Sequence, residues 1–510
     1  MKTGISLLGM FLLTGTAFGQ YAGDAFRYSE ITQTGTARFR GLGGNHAALG
    51  GDASSSFGNP AGLGFYNRSE LSISPSLNLT NTQSTYIGQG VRESKVSPNV
   101  GQLGIVIAGN AQSENRRWRR TALGVTYTRL NSLTNRFSFQ GRNNVSSIAD
   151  SYIERANNRQ ISGADLDREY NTQTNQANNL EAAAYQLFLI NGTERPNNQS
   201  GPPYFRYDPN APTDQRNTFE STGGQSQWTF TYAGNYQDKL YLGASFGLTR
   251  LRYDFDNIYN EDVIGGRTFN RIGQTDRLTV SGNGLNVSLG MIYRLDPNLQ
   301  IGASLISPTF TNVRETFEQS VTIDARDPNL PVNRNTIDIV PNNFEYALTS
   351  PLRASGGATL FLGPKRVGFI TASAEYVGYA GMRVSTTAYN AQGNRDFRED
   401  VRQEIQSTYQ NVVNFRAGAE FRAGLLRLRG GAAYLADPYK QRFDNLDRTK
   451  LLVSGGLGVR TERYFADISG TVNTFKSAYT PYTLARSSDY ASAQITNRLT
   501  NVMLSVGVFF

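Results

Sequence analysis

A chain of 510 residues without a single cysteine excludes a disulfide framework and thiol-linked lipid attachment. Its formal charge of +9 is carried by scattered arginines, which argues against a nucleic-acid partner and leaves contact with anionic headgroups or anionic solutes. The hydrophobic fraction is 38% and the mean hydropathy −0.43. Beyond the first residues no apolar run is long enough for a membrane helix, so a bundle of membrane-spanning helices is excluded. A closed barrel is not, because its strands show lipid only every second side chain.

The chain opens with Met1-Lys2, an apolar run from Ile5 to Leu13 and the small-x-small step Ala17-Phe18-Gly19. This predicts a signal peptide over 1–19, with the mature protein starting at Gln20; the apolar run is too short to be an anchor. Residues 20–69 follow with clusters of small residues: Phe39–Gly44, Ala47–Ala53 and Phe57–Leu63. They permit a compact, tightly turned path and predict a hatch inside the lumen, a periplasmic arm being the alternative. A barrel of the expected size otherwise encloses an aqueous channel. His46, the one histidine, is expected to be bonded to backbone in that hatch rather than to act as an axial ligand.

From residue 70 onward, stretches of about ten residues alternate apolar and polar. They predict strands at 70–80, 98–108, 120–131, 227–236, 239–252, 284–295, 298–306, 353–362, 367–380, 410–423, 425–436, 448–459, 462–475 and 498–510. In the last one, Val502, Leu504, Val506, Val508 and Phe510 share a face opposite Asn501, Met503, Ser505, Gly507 and Phe509. In another, Val413, Phe415, Ala417, Ala419 and Phe421 oppose Asn414, Arg416, Gly418, Glu420 and Arg422. Charges cannot face hydrocarbon cheaply, so Asn414, Arg416, Glu420 and Arg422 are expected to form a lumen network.

Connections alternate in length. Gln237-Asp238, Asp296-Pro297-Asn298, Gly363-Pro364-Lys365, Arg460-Thr461 and the region near Gly424 are tight, and 109–119 falls on the short side. The stretches 81–97, 132–226, 253–283, 307–352, 381–409, 437–447 and 476–497 are long and polar. Within 132–226, Leu180–Phe188 has helical propensity and an apolar side suited to folding over the barrel mouth. The expected fold is all-β: a 14-stranded antiparallel transmembrane β-barrel over 70–510, with long extracellular loops and an N-terminal hatch inside the lumen. Such a barrel belongs in a bacterial cell outer membrane, with short turns in the periplasm. It contacts outer-membrane lipid, needs the barrel-assembly machinery for biogenesis, and is most simply a monomer.

Gly50–Leu63 resembles the hatch motif of the FadL/OmpP1/TodX outer-membrane transporters, with Asn59-Pro60-Ala61-Gly62 matching its Asn-Pro-Ala-Gly core. Arg416–Phe421 followed by Arg429–Tyr434 and Asp437-Pro438 resembles the family's C-terminal strand pair, and Ile306–Phe310 its mid-barrel strand exit. The Gly-Gly-Asp-Ala-Ser-Ser form looks most like members from the Bacteroidota. The resemblance implies passive uptake of hydrophobic small molecules, such as long-chain fatty acids or aromatic hydrocarbons, through a hatch-gated barrel with lateral exit. Phe57, Asn59, Pro60, Ala61 and Gly62 are the expected gate residues. The other role open to such barrels is that of a protein-binding accessory in a secretion system. An enzyme is not expected: no Gly-x-Ser-x-Gly elbow frames a nucleophile, and a triad would have to use His46. No catalytic residue, metal or cofactor is expected.

Overall fold

The computed structural model describes residues 18–31, 33–109, 117–195, 199–364, 366–441 and 446–510. The expected signal segment lies outside the described residues except for its last two positions, as does Lys365 of the Gly363 turn. Fourteen antiparallel strands close into a barrel. They are β1 (Glu70–Tyr86), β2 (Gln89–Ala108), β3 (Trp118–Ser132), β4 (Thr213–Tyr236), β5 (Leu240–Val263), β6 (Phe269–Arg294) and β7 (Leu299–Ile306). The second half supplies β8 (Arg353–Leu362), β9 (Gly368–Val377), β10 (Val412–Ala423), β11 (Leu426–Leu435), β12 (Lys450–Arg460), β13 (Tyr464–Tyr479) and β14 (Ala493–Phe509). Each pairs with its sequence neighbour, and β14 returns to β1 from Glu70↔Phe509 to Thr85↔Gln494, so no sheet edge is left open.

The outer face is the apolar one. Leu285, Val287, Leu289, Met291 and Tyr293 of β6 are exposed, as are Val413, Phe415 and Phe421 of β10. Met503 and Ser505, on the other face of β14, are fully buried. Two edge-to-face aromatic pairs flank the outer surface, Trp118–Tyr236 near the short turns and Tyr127–Trp228 farther up. Eight residues separate Trp228 from Tyr236, roughly 26 Å of strand and, at the roughly 40° tilt of barrel strands, about 20 Å of height, somewhat less than the apolar band of an outer-membrane barrel between its aromatic girdles.

Several expected loops are strands instead. β1 and β2 continue through 81–97 to a two-residue turn at Ile87-Gly88, both with positive φ. β5 and β6 consume most of 253–283. The 307–352 stretch carries a hairpin, Phe310–Ala325 with Asn342–Thr349, whose first strand pairs with the upper half of β6. β4 begins at Thr213 inside the expected 132–226 loop, and β13 and β14 extend into 476–497. Above the apolar band the pattern inverts: the outer face turns polar, as in Arg252–Asp254 and Arg277–Asp256 on β5 and β6, while Leu251, Tyr253, Leu278 and Val280 face inward. Backbone pairing and the period of two both continue there, with the apolar side chains moved to the inner face. β9 is shorter than expected, ending at Val377.

Inside the barrel lie α1 (Phe18–Arg27), α2 (Ala37–Gly41) and two 3-10 turns, Ala53–Ser56 and Pro60–Phe65. The long-loop end is closed by an insert between β3 and β4. It comprises a strand Asn135–Asn143 along β4, then α3 (Ile148–Arg159), α4 (Gly163–Arg168) and α5 (Leu180–Gln186). α3 starts at a capping box between Ser147 and Asp150. The apolar residues of α5 enter one buried cluster with Tyr86, Tyr259, Phe269, Ile323 and Ile495, which rise from five parts of the barrel rim. The 381–409 stretch is not merely a loop but carries α6 (Ala391–Thr408), whose Phe397, Val401 and Ile405 pack with Tyr21, Ala22 and Ala25 of α1. The wall is short here, β9 to β11 stopping below the height reached by β4 to β6, and α6 covers the shortfall.

Candidate functional site: the hatch and the chamber above it

Side-chain caps define the hatch turns. Asp52 Oδ1 accepts from Ser54 N at 2.9 Å to start the first 3-10 turn. Asn59 Oδ1 accepts from Ala61 N at 3.1 Å, and Pro60 at the first helical position has no N–H to leave orphaned. The Asn59 amide also reaches outward. Its Nδ2 donates to Ala47 O at 2.5 Å within the hatch, and to Met291 O (3.1 Å) and Ala303 O (3.2 Å) on β6 and β7. Ala61 is fully buried against Tyr241 and Ile292. Gly62 lets two hatch segments touch: a Cβ there would stand 2.4 Å from Ser55 Oγ and 3.1 Å from Gly50 Cα. Phe57 is buried as well. The five expected gate residues thus occupy one continuous turn, held against β5, β6 and β7.

The wall meets the hatch through bare backbone. Lumen-facing Gly243, Gly290, Gly302 and Gly431 have no room for a Cβ, which would fall within 2.4 Å of Pro60, Asn59, Ala47 and Leu42 respectively. Polar side chains fill the remaining gaps: Ser505 Oγ accepts from Ala37 N at 2.8 Å, and Gln300 Nε2 and Thr359 Oγ1 donate to Ala48 O at 2.5 and 3.0 Å.

The expected network of Asn414, Arg416, Glu420 and Arg422 is two networks. Glu375 on β9 accepts from Arg416 at 2.9 Å and Asn414 at 3.4 Å, and pairs with Arg353 at 3.3 Å. Glu420 instead accepts from Arg422 and Arg429, each at 2.8 Å, and faces Arg38 of the hatch at 3.6 Å. Arg429 continues to Asp467 at 2.5 Å and Arg38 to Asp52 at 3.8 Å. Arg416 and Glu420 sit four residues apart on one strand, roughly 13 Å, whereas cross-strand neighbours stand about 5 Å apart, so pairing runs sideways. Arg429 and Asp467 were legible as lumen residues from their alternation with Leu428, Gly430, Ala466 and Ile468. Arg38 and Asp52, lying in irregular chain, had no periodicity to betray them.

His46 is buried, with Nε2–H donating to Leu42 O at 2.8 Å and Nδ1 facing Ser373 Oγ at 3.2 Å. Burial, opposed by the Leu42 bond and assisted by Arg416, pulls its pKa from 6.5 down to about 4. A depressed base binds protons less well folded than unfolded, so stability is full above pH 6.5 and is lost as pH falls toward 4. Lowering the pH from 7 to 5 is expected to cost the hatch roughly 2 kcal/mol. Amide exchange across residues 41–50 measures this, and His46→Gln should flatten the dependence.

Above the hatch a cavity of about 550 Å³ lies between α1 and the insert. Phe26, Phe137, Phe219, Tyr253, Phe255 and Phe475 are prominent in its walls, Phe137 and Phe219 stacking at 4.8 Å. A smaller polar cavity of about 190 Å³ adjoins it, sharing Arg27, Glu30, Leu133, Lys450 and Leu499.

Beside the cavities the wall divides. β2 pairs with β3 only from Gln102↔Thr128 to Ala108↔Ala122. Higher up β2 stays with β1, while β3 bulges between Arg129 and Asn131 and leads into the Asn135–Asn143 strand. Side chains bridge the separated walls farther out, Ser138 Oγ donating to Glu93 at 2.6 Å and Lys95 Nζ to Glu220 at 2.7 Å.

No protein-family model matches this chain, and no curated protein sequence does. Solved structures do. It is similar to a Pseudomonas aeruginosa FadL homologue at 11% identity and TM-score 0.53, covering 94% of this chain and 98% of the other. It is similar to the P. putida toluene transporter TodX at 13% identity and TM-score 0.52, covering 94% and 99%. The Ralstonia pickettii toluene transporter TbuX gives 15% identity and TM-score 0.50 over 94% and 99%. At these identities the likeness is one of architecture: the chain has the fold of the FadL-type and toluene-transporter barrels.

Proposed function

We propose that this protein is an outer-membrane channel for passive uptake of hydrophobic small molecules, of the size of long-chain fatty acids or aromatic hydrocarbons. The aromatic chamber carries this reading. A ligand there leaves water and gains roughly 25 cal/mol per Å² of apolar area buried. The hatch blocks the straight path downward. The separation of β2 from β3 beside the chamber begins at the level of Tyr127 and Trp228 and supports a sideways exit at the outer edge of the apolar band, with the Phe57–Gly62 turn as the gate below. A cavity beneath the loops whose walls carry Phe26, Phe137, Phe219, Phe255 and Phe475 also favours transport over the protein-binding alternative. The neighbouring folds described as toluene transporters agree with this class of ligand.

The chain lacks cysteine, so a single engineered thiol is a clean probe. Asn99 lies on the lumen side of β2 and lines the polar cavity. An N99C variant expressed in a bacterial host without its own carriers should accumulate a labelled aromatic hydrocarbon at the parental rate. A bulky thiol-reactive group at that position should then block accumulation. Unchanged uptake after complete labelling would rule out the β2–β3 route.

A further inference from the structure

The short-turn end of the barrel, the periplasmic end of such folds, carries a ring of arginines around its mouth. Arg120 on β3, Arg294 on β6, Arg422 on β10, Arg427 on β11 and Arg460 on β12 alternate onto the inward face, and Arg366 stands in the β8–β9 turn. All six are half-buried. Among the described residues only Arg422 has a carboxylate within 4.0 Å, that of Glu420. Asp238, Asp296 and Glu462 are the acids of the described short turns, and they answer none of the six. Asp238 accepts from Asn235 at 2.7 Å, and Asp296 caps its own turn through Asn298 N and Leu299 N at 2.7 and 3.0 Å. The long-loop end differs: Arg142 faces Asp214 there, Arg216 and Arg271 share Asp262, and Arg314 faces Glu345.

Aromatic rings hold the mouth arginines instead. Arg294 lies over Phe65 and Tyr241, 5.8 and 5.6 Å from the ring centres. Arg366 lies over Phe361 at 5.2 Å, Arg422 over Phe369 at 5.5 Å and Arg460 over Phe509 at 4.7 Å. Such contacts fix a flat guanidinium without neutralising it, and its N–H edge stays free for an anion. Arg422 and Arg427 are also direct cross-strand partners. Like charges placed so destabilise a sheet, and an anion between them relieves the cost.

We propose that this mouth is a docking seat for an acidic segment of a water-soluble periplasmic protein. Inward orientation takes the guanidinium groups away from the membrane surface, so a chain entering the mouth from below meets them more readily than a lipid headgroup does. Arginine suits carboxylates in particular, offering paired N–H donors where lysine offers a point charge. Phe65 ends the Pro60–Phe65 turn of the hatch, so a segment bound at Arg294 touches the hatch from beneath.

The test uses the full chain in nanodiscs of zwitterionic lipid, with both ends open to solvent, and a fluorescein-labelled decaglutamate peptide followed by anisotropy. Binding should be saturable at low salt and weaken about tenfold at ~0.3 M NaCl, where charges more than about 6 Å apart are screened. R294Q/R366Q/R427Q, checked for the folded barrel by heat-dependent gel mobility, should lower the affinity by about tenfold or more. R216Q/R271Q/R314Q removes as many charges from the long-loop end and should leave the affinity unchanged. No saturable binding by the parent, or equal weakening by the two triple variants, overturns the docking seat. Native mass spectrometry of mixed-lipid nanodiscs adds a further arm. Phosphatidylglycerol enriched on the parent but not on R294Q/R366Q/R427Q, with no peptide bound, also overturns the seat and makes the ring a lipid contact. No hydrophobic ligand is present in these measurements, so their failure leaves the uptake reading standing.

Discussion

Replacing Glu420 with glutamine is expected to destabilise the folded protein by roughly 3–5 kcal/mol, the effect of removing one partner from a buried ion pair. Its side chain is 2% exposed and stands between Arg429, 3% exposed, and Arg38, 8% exposed, with Arg422 completing the set. Glutamine keeps the shape and one acceptor oxygen but removes the charge. Asp467 and Asp52 then remain for three guanidinium groups. The loss falls on two structures at once, because Arg429 ties β11 to β10 and β13 while Arg38 ties the hatch to the wall. The denaturant midpoint of the barrel refolded in lipid vesicles should fall, and residues 36–52 should exchange amide protons faster. Glu345→Gln provides the contrast. It breaks the Arg314–Glu345 pair, whose side chains are 76% and 70% exposed, and screening by water leaves no measurable loss. If the two variants unfold alike, the charge cluster does not hold the hatch.

The barrel wall was legible where lipid imposes a rule on it. In the lower half of β14 the outward residues Val502, Leu504, Val506 and Val508 are all apolar and the inward Asn501, Ser505 and Gly507 small or polar, Met503 excepted, so the strand could be placed from the sequence to within a few residues. The rule stops where lipid stops. Asp254, Asp256 and Arg277 point outward into water on the same strands, so the upper halves of β5 and β6 read as loop although their pairing is unbroken. The alternation persists in these extensions with its sense reversed, Leu251, Tyr253, Leu278 and Val280 facing inward, so a reading that looks for apolar residues outside and polar ones inside passes over them.

The insert and α6 obey a different logic. Leu180–Gln186 declares itself through Ala182, Ala183 and Ala184 after an Asn179 cap, and the helix is there. α6 carries its signal in three residues only, Phe397, Val401 and Ile405, spaced by four along a charged helix behind the Asn390 cap. That stripe was available to a sequence reading, but its partner was not. Tyr21 lies 376 positions earlier than Phe397, their rings 5.2 Å apart. The chamber has the same origin, with Phe26, Phe137, Tyr253 and Phe475 drawn from four distant segments. Only the closed ring brings them together, so the gate turn could be read as a local motif while the space above it could not.

The glycine-rich composition takes its meaning from the contact between wall and hatch, and Gly302→Leu should show it most directly. A Cβ at Gly302 would stand 2.1 Å from Ala47 O and 2.8 Å from Ala48 Cα. Both are backbone atoms, and neither can turn aside as a side chain does. Ala48 O is fixed by Gln300 and Thr359, and Ala47 O by Asn59, so relief requires the hatch leg around them to lift as a unit. Overpacking costs roughly 1–3 kcal/mol where neighbours can yield, and more where they cannot. The outer face of β7 is untouched and the barrel still closes. The expected result is a folded barrel with a loosened hatch: retained heat-dependent gel mobility, faster amide exchange across residues 44–50, and raised ion conductance in planar bilayers. Gly356→Leu serves as the control. Gly356 is exposed on the outer wall, a Cβ added there would meet nothing within 4 Å, and the substitution should change none of these. A tight, non-conducting hatch in the Gly302→Leu protein would mean that the wall, rather than the hatch, absorbs the added volume, and that bare backbone is not what seats the plug.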